Sequence, residues 1–182
     1  MTTIVAKRDP TTGEVWIGAD RQLSDEGNDI REMAPRRKIL AARDALWGAT
    51  GALPNIQRAE RIIRGSCGGL PVLTEADVIA VADLLADGLF AGKESAPWWV
   101  VATAEGVFDL YGTGSVMPAP PEGTALGSGR SHALAVLYDR ATEPARETVL
   151  RALRAASALD VWTGGGIDLW RVGDPAPETE AA

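Results

Sequence analysis

The chain has 182 residues, a formal charge of −7 and a pI of about 4.8, so we expect one acidic domain that binds neither nucleic acid nor an anionic membrane. Its apolar content of 46% and charged content of 24% are typical of a globular protein and exclude wholesale disorder. One cysteine and one histidine exclude an internal disulfide, a Cys-x-x-Cys site and a histidine-based metal cluster.

The chain starts with MTTIVAKRDP, which lacks the basic and apolar segments of a signal peptide. No apolar run approaches the ~18 residues of a membrane-spanning helix. We therefore expect a cytoplasmic protein without a membrane partner.

Short apolar and β-branched runs predict four strands in the first third of the chain, over residues 3–8, 14–20, 38–42 and 45–50. A turn cluster from Asp9 to Gly13 joins the first two strands into a hairpin. Residues 21–37 are polar and predict a loop. Two helices follow from apolar side chains at helical spacing, one over residues 52–64 and one from Thr74, a good N-cap residue, to about Ala91.

The second half of the chain again groups strands before helices. It predicts a hairpin over 98–103 and 106–111, a loop over 112–124, a strand over 124–127, helices over 130–140 and 144–159, and a last strand over 167–172. Residues 173–182 are rich in Pro, Ala and Glu, so we expect a disordered tail after a single domain over residues 1–172.

The grouping of the elements predicts the fold class. Strands and helices come in blocks instead of alternating singly, which argues against a doubly wound parallel sheet and favours an α+β fold. Each strand block needs one face covered by another sheet and the other face covered by helices. The order therefore predicts a four-layer αββα sandwich.

The first candidate for chemistry is Thr2, which follows Met1 directly and precedes the first strand. We expect Met1 to be removed before a residue as small as threonine. A threonine hydroxyl is a weak nucleophile alone, but a terminal Thr2 would carry its own base, because a free α-amine has a pKa of about 7.7–8.0. The alternative is that Met-Thr-Thr is an ordinary chain start without a catalytic role.

Asp20, at the end of the second strand, and Lys38, after the polar loop, form a second candidate group. A lysine beside the Thr2 amine would keep that amine neutral and would favour the alkoxide form of the hydroxyl. A buried lysine needs a partner of opposite charge, and Asp20 can supply it. In the alternative, Asp20 is a turn residue and Lys38 is one of three solvated basic residues.

Three glycine-containing turns can present polar groups to a site, and they are Gly48–Gly51, Gly127–Gly129 and Asp160–Gly166. Backbone N–H groups of the first turn can stabilise an oxyanion. In the second turn Ser128 can orient the Thr2 amine, and in the third Asp160 and Thr163 can face the same site. None of the turns carries a phosphate-binding motif. The alternative is that the glycines serve only turning and helix capping.

Several short motifs spread over residues 2–172 occur together in one order. They are Thr2-Thr3-Ile4-Val5, Gly18-Ala19-Asp20, Lys38-Ile39, Gly48-Ala49-Thr50-Gly51, Gly127-Ser128-Gly129 and Asp160-x-x-Thr163-Gly164. With these motifs the chain resembles the proteasome β-type and HslV-like family of N-terminal threonine peptidases. The resemblance implies the αββα fold of the N-terminal nucleophile hydrolases.

The resemblance also implies a set of site residues. The catalytic positions of the family fall on Thr2 as nucleophile and on Asp20, Lys38, Ser128, Asp160 and Thr163 as supporting residues. The oxyanion glycine falls on Gly51, with Gly48 as the less favoured choice. The implied reaction is attack of the Thr2 hydroxyl on a peptide carbonyl, formation of an acyl-enzyme ester, and hydrolysis of that ester by water.

Ligand positions are implied in the same way. Carbonyl groups in the last turn would hold a monovalent cation such as Na⁺, and they belong to Ser157, Asp160 and Thr163. The chemistry itself would need no cofactor. The substrate pocket would be lined by Arg21, Arg36 and Leu40. HslV has a cysteine where Asp160 stands, so this turn is more similar to that of proteasome subunits.

The resemblance implies an ATP-dependent, self-compartmentalising endopeptidase. Its subunits would form a homo-oligomeric ring, hexameric or heptameric and stacked as a double ring, that degrades polypeptides supplied by an AAA+ unfoldase. Two alternatives keep the fold. One is a hydrolase of small amides, which needs no closed chamber, and the other is a catalytically inactive ring subunit. A Cys67–His132 hydrolase is a third alternative, although nothing in the sequence brings these two residues together.

Overall fold

The structure is a computed structural model that describes residues 2–24, 30–32, 37–65, 70–90 and 97–180. Within these ranges the chain forms twelve strands, β1 (Thr3–Arg8), β2 (Val15–Asp20), β3 (Gln22–Ser24), β4 (Ile30–Glu32), β5 (Ile39–Ala42), β6 (Ala45–Thr50), β7 (Trp98–Ala102), β8 (Val107–Leu110), β9 (Val116–Pro118), β10 (Thr124–Gly127), β11 (Ile167–Arg171) and β12 (Glu178–Glu180). The same ranges contain four α-helices, α1 (Leu53–Gly65), α2 (Glu75–Leu85), α3 (Arg130–Asp139) and α4 (Ala145–Leu159). Helix α2 continues into a π-helical turn over Ala86–Phe90.

The described strands form two antiparallel five-stranded sheets and one short ribbon. The first sheet has the order β10-β1-β2-β11-β12, the second has the order β5-β6-β7-β8-β9, and β3 pairs with β4. The register places Thr3 opposite Gly127 and Ile167 opposite Asp20. These pairings join the start of the chain to two turns that lie more than a hundred residues later.

Three apolar clusters show how the layers stack. The cluster between the two sheets includes Ile4, Ile17, Leu46 and Val100. The cluster between the second sheet and helices α1 and α2 includes Trp47, Ile63, Leu85 and Trp99. The cluster between the first sheet and helices α3 and α4 includes Val5, Leu137, Leu153 and Leu169. Successive strand residues alternate between two of these clusters, as strand geometry requires. The predicted αββα sandwich is therefore confirmed.

The two ends of the sandwich carry different parts of the chain. At one end the β1–β2 loop and the β7–β8 loop border a cavity of about 620 Å³. Strands β1 and β7 both run toward that end, so their first residues, Thr3 and Trp98, lie at the other end. Antiparallel pairing places the last residues of β2, β6 and β10 and the first residue of β5 there as well. We call this second end, which holds Thr3 and Trp98, the site end.

The elements lie close to the positions that the sequence predicts, with two additions. Strand β9 forms inside the loop predicted over 112–124, because it pairs with the edge of β8. The β3–β4 ribbon forms inside the loop predicted over 21–37. No helix in the ranges that the structure describes is long and apolar enough to cross a membrane.

The C-terminal tail differs from the prediction made from its composition. Residues 173–182 were expected to be disordered, and this is wrong for the tail up to residue 180, where β12 pairs with β11. Helix α4 supplies the physical reason. Arg146 forms ion pairs with Glu178 and Glu180, and Arg154 binds Glu180 at 2.8 Å. Acidic residues that suggest a solvated tail are thus the partners of a basic helix face.

Gly127 is a position where only glycine fits. Its φ of +99° lies in the left-handed region, and an added Cβ would lie 1.6 Å from the Thr2 carbonyl oxygen. We expect Gly127→Ala to lower the free energy of unfolding by at least ~2 kcal/mol, as measured by denaturant titration. The control is Gly65→Ala at the end of α1, where an added Cβ meets nothing within 4 Å and should change stability by less than ~1 kcal/mol. Equal losses in the two variants would contradict this account.

Candidate active site

The carboxylate of Asp20, at the end of β2, lies at the centre of the site end and is buried. Its Oδ1 accepts hydrogen bonds from Lys38 Nζ and from the Thr3 backbone N–H, each at 2.7 Å. Its Oδ2 accepts from the backbone N–H groups of Gln22 at 3.2 Å and Gly164 at 3.3 Å. Four donors therefore satisfy a carboxylate that would otherwise be costly to bury.

Lys38 is the residue just before β5. Its ammonium binds this carboxylate, and its side chain is only 6% exposed. Burial lowers the pKa of the Lys38 ammonium below its usual range, and the negative charge of Asp20 opposes that shift. Lys38 Nζ and the Thr3 nitrogen both lie 2.7 Å from one oxygen, so they are no farther apart than twice that distance. The structure thus brings Asp20 and Lys38 together beside the Thr2–Thr3 peptide, and the alternative of a solvated Lys38 is wrong.

Thr2 is held at the site end by the strand that pairs with β1. Its carbonyl oxygen accepts a hydrogen bond from the Ser128 backbone N–H at 3.0 Å. This bond continues the β1–β10 ladder one step beyond the Thr3–Gly127 pair. Ser128 therefore lies opposite Thr2, on the strand end where the sequence predicts it to act.

A chain of hydroxyl groups connects β1 with the turn after α4. The Thr163 hydroxyl donates to Asp160 Oδ2 at 2.6 Å, and Thr163 Oγ1 lies 2.6 Å from Thr3 Oγ1. The Gly129 N–H donates to Thr3 Oγ1 at 3.0 Å. Because each hydroxyl has a single proton, Thr3 must donate to Thr163 while Thr163 donates to Asp160. The Ser128 side chain acts on the same carboxylate and helps to lower the pKa of Asp160.

Asp160 is the charged end of this network. Burial alone would raise the pKa of its carboxyl, but hydrogen bonds from the Thr163 and Ser128 side chains and from the Trp162 N–H outweigh that effect and hold the pKa below its usual range. Asp160 is therefore ionised at neutral pH. It acts only as an acceptor, which fixes the direction of every hydrogen bond in the chain of hydroxyls.

Two residues of the site were missed by sequence reasoning. Thr3 is completely buried and carries the hydroxyl between Gly129 and Thr163. Gln22 donates through Nε2 to the Val161 carbonyl at 2.9 Å, and its backbone N–H donates to the Gly164 carbonyl at 2.8 Å. Both residues tie the N-terminal strands to the turn after α4. The only signal for Thr3 is its place in the Thr2–Val5 motif.

The structure distinguishes the two candidate oxyanion glycines. Gly48 lies inside β6, paired with Ile39 on one side and Val100 on the other, and a Cβ there would lie 2.7 Å from Ile4 Cγ2 in the core. Gly51 lies beyond the end of β6 at the site end, with a φ of +133°. Of the two glycines, Gly51 is therefore the one that lies at the site end, and its oxyanion role stays a prediction.

The structure describes two of the three predicted substrate residues, and these two lie in different places. Arg21 Nε lies 3.9 Å from an Asp168 carboxylate oxygen, which places the guanidinium beside β11, on the far side of β2 from β1. Leu40 is buried on the helix-facing side of its sheet. Arg36 lies outside the described residues. These contacts give Arg21 and Leu40 structural neighbours within the chain, and their substrate role stays a prediction.

The turn predicted to hold a cation has oxygen ligands of a suitable kind. The Asp160 carbonyl accepts the Thr163 N–H at 3.1 Å and keeps a second lone pair. The Ser157 hydroxyl is buried and has no hydrogen-bond partner in the described part of the chain. Carbonyl oxygens fit a hard cation. Among the same residues no group of three or more His, Cys, Asp and Glu side chains could hold a metal.

The Cys67–His132 alternative gains no support. Cys67 lies outside the described residues. His132 lies in the first turn of α3, close enough to Asp160 for an electrostatic effect on its carboxyl. The histidine therefore adjoins the network already described.

We expect Thr3→Val to destabilise the protein although the two side chains have the same shape. The substitution leaves the buried Gly129 N–H without its acceptor and Thr163 without its donor, which costs about 1–3 kcal/mol. Denaturant unfolding measures this loss. Thr3→Ser keeps the hydroxyl and should retain most of the stability, and a Val variant as stable as the Ser variant would show that the hydroxyl network carries no stability.

Solved structures define the class of fold. HslV from Trypanosoma brucei matches with a TM-score of 0.76 and 19% identity, over 94% of this chain and 98% of its own. BPH from Thiobacillus denitrificans in complex with epoxomicin matches with a TM-score of 0.80 and 19% identity, over 94% of this chain and 97% of its own. An Anbu mutant from Hyphomicrobium sp. strain MC1 has a TM-score of 0.80 at 16% identity, over 100% of this chain and 88% of its own. The chain thus has the fold of the N-terminal nucleophile hydrolases.

Sequence relatives then give the family, although no family model matches the chain. Proteasome subunit beta 1 of Thermococcus kodakarensis is 30% identical over 165 residues, which are 85% of this chain and 81% of that protein. Proteasome subunit beta 1 of Hyperthermus butylicus is 29% identical over 172 residues, which are 86% of this chain and 82% of that protein. The chain belongs to the proteasome β-subunit family, and the resemblance drawn from its motifs is confirmed.

Proposed function

We propose that the protein is a threonine peptidase in which Thr2, exposed by removal of Met1, is the nucleophile. The observation that carries the proposal is the shared oxygen of Asp20, which binds the Lys38 ammonium and the Thr2–Thr3 peptide N–H at once. This arrangement holds a buried cation next to the residue that would bear the free amine. Ser128 supports Thr2 from the neighbouring strand.

In the proposed reaction the Thr2 Oγ attacks a peptide carbonyl carbon, and its proton passes to the Thr2 α-amine. The Gly51 N–H stabilises the oxyanion that forms on the carbonyl oxygen. The C–N bond then breaks, the leaving amine takes the proton from the Thr2 ammonium, and an ester to Thr2 remains. A water molecule gives a proton to the same amine and attacks the ester. The C–O bond to Thr2 then breaks, the Thr2 ammonium returns its proton to the Thr2 oxygen, and the acid is released.

Lys38 sets the protonation states that this sequence needs. Its positive charge disfavours a second positive charge on the nearby α-amine and so keeps that amine available as a base. The same charge stabilises the developing alkoxide of Thr2. Asp20 keeps Lys38 in place and charged, while Asp160 and Thr163 are positioning residues that hold Ser128 and Thr3.

We further propose that the subunit works in a closed assembly. Two relatives are named proteasome subunits, which supports assembly into a larger complex. We propose that this complex is a stacked double ring of six or seven copies in the cytoplasm, and that an AAA+ unfoldase supplies its polypeptides. Helix α2 fits a contact surface, because Ile79 and Leu84 are exposed on the side that faces away from the core. We also assign the carbonyls of residues 157, 160 and 163 to a structural Na⁺.

N-terminal sequencing together with a threonine-directed epoxyketone tests the nucleophile. The mature protein should begin at Thr2, and its mass should increase by one inhibitor, with the adduct located on the first residue. Retention of Met1 in the active protein would contradict the proposal, since the base would then be an amide. A small-amide hydrolase would instead show adduct formation without a closed assembly, which gel filtration and electron microscopy detect.

A further inference from the structure

Strand β7 starts with a tryptophan that the core does not use. Trp98 is 49% exposed, whereas the next residue, Trp99, is 1% exposed and packs toward helices α1 and α2. Val100 packs between the two sheets. Because side chains alternate along a strand, Trp98 faces the same side as Val100. It therefore continues the wall of the space between the sheets at the site end, where the apolar cluster stops.

Tyr111 holds this tryptophan in place. Trp99 pairs with Leu110, so Trp98 and Tyr111 are the next facing residues at the ends of β7 and β8. Their ring centroids are 5.4 Å apart with an interplanar angle of 71°, the edge-to-face geometry that aromatic pairs favour. The pair fixes the orientation of the indole and leaves about half of it open.

The aromatic pair adjoins the oxyanion glycine. Trp98 pairs with Thr50, the residue before Gly51. A Cβ added at Gly51 would lie 3.2 Å from the Pro97 Cα, so the two chain segments are in close contact. Strand β7 also packs against β10, whose end leads into Ser128. The indole thus borders the same opening as Thr2 and Gly51.

The order of strands in the second sheet decides which side of the opening the pair occupies. Lys38 precedes β5, Gly51 follows β6, Trp98 starts β7 and Tyr111 follows β8. Gly51 therefore lies between Lys38 on one side and the aromatic pair on the other. A peptide whose carbonyl binds at Gly51 and whose chain runs across the strand ends must place residues on both sides.

We propose that Trp98 and Tyr111 form a subsite for bulky aromatic or aliphatic side chains of the polypeptide substrate, on the side of Gly51 away from Lys38. The proposal rests on the peptidase function proposed above and adds a specificity determinant to it. An apolar wall fixed beside the reacting carbonyl favours apolar side chains because their contact with the indole removes apolar surface from water.

Cleavage-site mapping tests this subsite. The assembled protein digests an unfolded polypeptide, and mass spectrometry of the products gives residue preferences on both sides of every cleaved bond. The wild type should prefer bulky apolar residues on one side, and Trp98→Ala should lower that preference about 10-fold while leaving the other side unchanged. Tyr138→Ala is the matched control, since Tyr138 is a 60% exposed aromatic on α3 and should leave both profiles unchanged.

The remaining outcomes separate the subsite from the peptidase function. Identical profiles for Trp98→Ala and the wild type would overturn the subsite, provided that the epoxyketone still labels both proteins. A wild type that neither cleaves nor reacts would overturn the peptidase function, and the subsite with it. If Trp98→Ala fails to assemble, Tyr111→Ala decides, because it releases the indole from its neighbour and should weaken the same preference.

Discussion

Replacement of Thr2 by alanine is expected to abolish turnover while the fold stays intact. The variant keeps the α-amine, the Asp20–Lys38 ion pair and the Ser128 N–H contact to the residue-2 carbonyl, but it has no oxygen to attack a substrate. Loss of a nucleophile lowers kcat on the order of 10³-fold or more. Hydrolysis of fluorogenic peptides measures this loss, and the thermal unfolding midpoint shows whether the fold is retained.

Thr2→Ser is the matched variant for that experiment. It keeps the hydroxyl and the amine on one residue, so it should still hydrolyse peptides and react with the epoxyketone. Turnover by Thr2→Ala at the rate of the wild type would show that another residue attacks the substrate. Such a result would favour an unrelated site, whereas a wild type without measurable turnover would favour the inactive-subunit alternative.

Loss of the Lys38 charge is expected to have the second largest effect. Lys38→Met removes the cation that keeps the Thr2 amine neutral and that stabilises the alkoxide, and we expect kcat to fall on the order of 10²-fold or more. Asp20 keeps three backbone donors, yet it loses its buried counter-ion, so stability should fall by up to ~3 kcal/mol. Activity should therefore be measured well below the unfolding midpoint of the variant.

A pH profile and an arginine variant separate charge from position at Lys38. Burial places the pKa of Lys38 below the ordinary 10.5, so the alkaline loss of activity should occur below that pH in the wild type. Lys38→Arg keeps a positive charge with a planar group that does not fit one carboxylate oxygen in the same way, and it should not restore activity. An arginine variant as active as the wild type would show that charge alone is sufficient.

Residue types and their spacing predicted the layers and the grouping of Asp20 and Lys38 beside the start of the chain, because strand alternation and strand-end turns are local properties. The hydroxyl network could not be predicted in the same way. Thr3 and Thr163 are 160 positions apart, and they meet because β11, which follows the turn after α4, pairs with β2, which pairs with β1. The contact of Gln22 could not be predicted either, since its partner Val161 lies in that distant turn.

The order of the tail and the side-chain directions of the predicted substrate residues also depend on tertiary partners. Pro- and Glu-rich composition indicates disorder only when no basic surface is nearby, and helix α4 provides one through Arg146 and Arg154. The position of Arg21 after Asp20 leaves the direction of its side chain open, and the structure places its Nε 3.9 Å from Asp168 on the neighbouring strand. Side-chain direction outside regular elements follows from neighbours that a sequence does not reveal.

Strand β12 also has a protective effect on the molecule. It occupies the outer position of the first sheet beside β11, whose outward backbone groups it satisfies. A shortened form of the protein that stops near residue 172 would expose those groups as an open sheet edge, which is a template for intermolecular strand addition and aggregation. Expression variants should therefore keep the chain through Glu180, where the last ion pair to α4 is made.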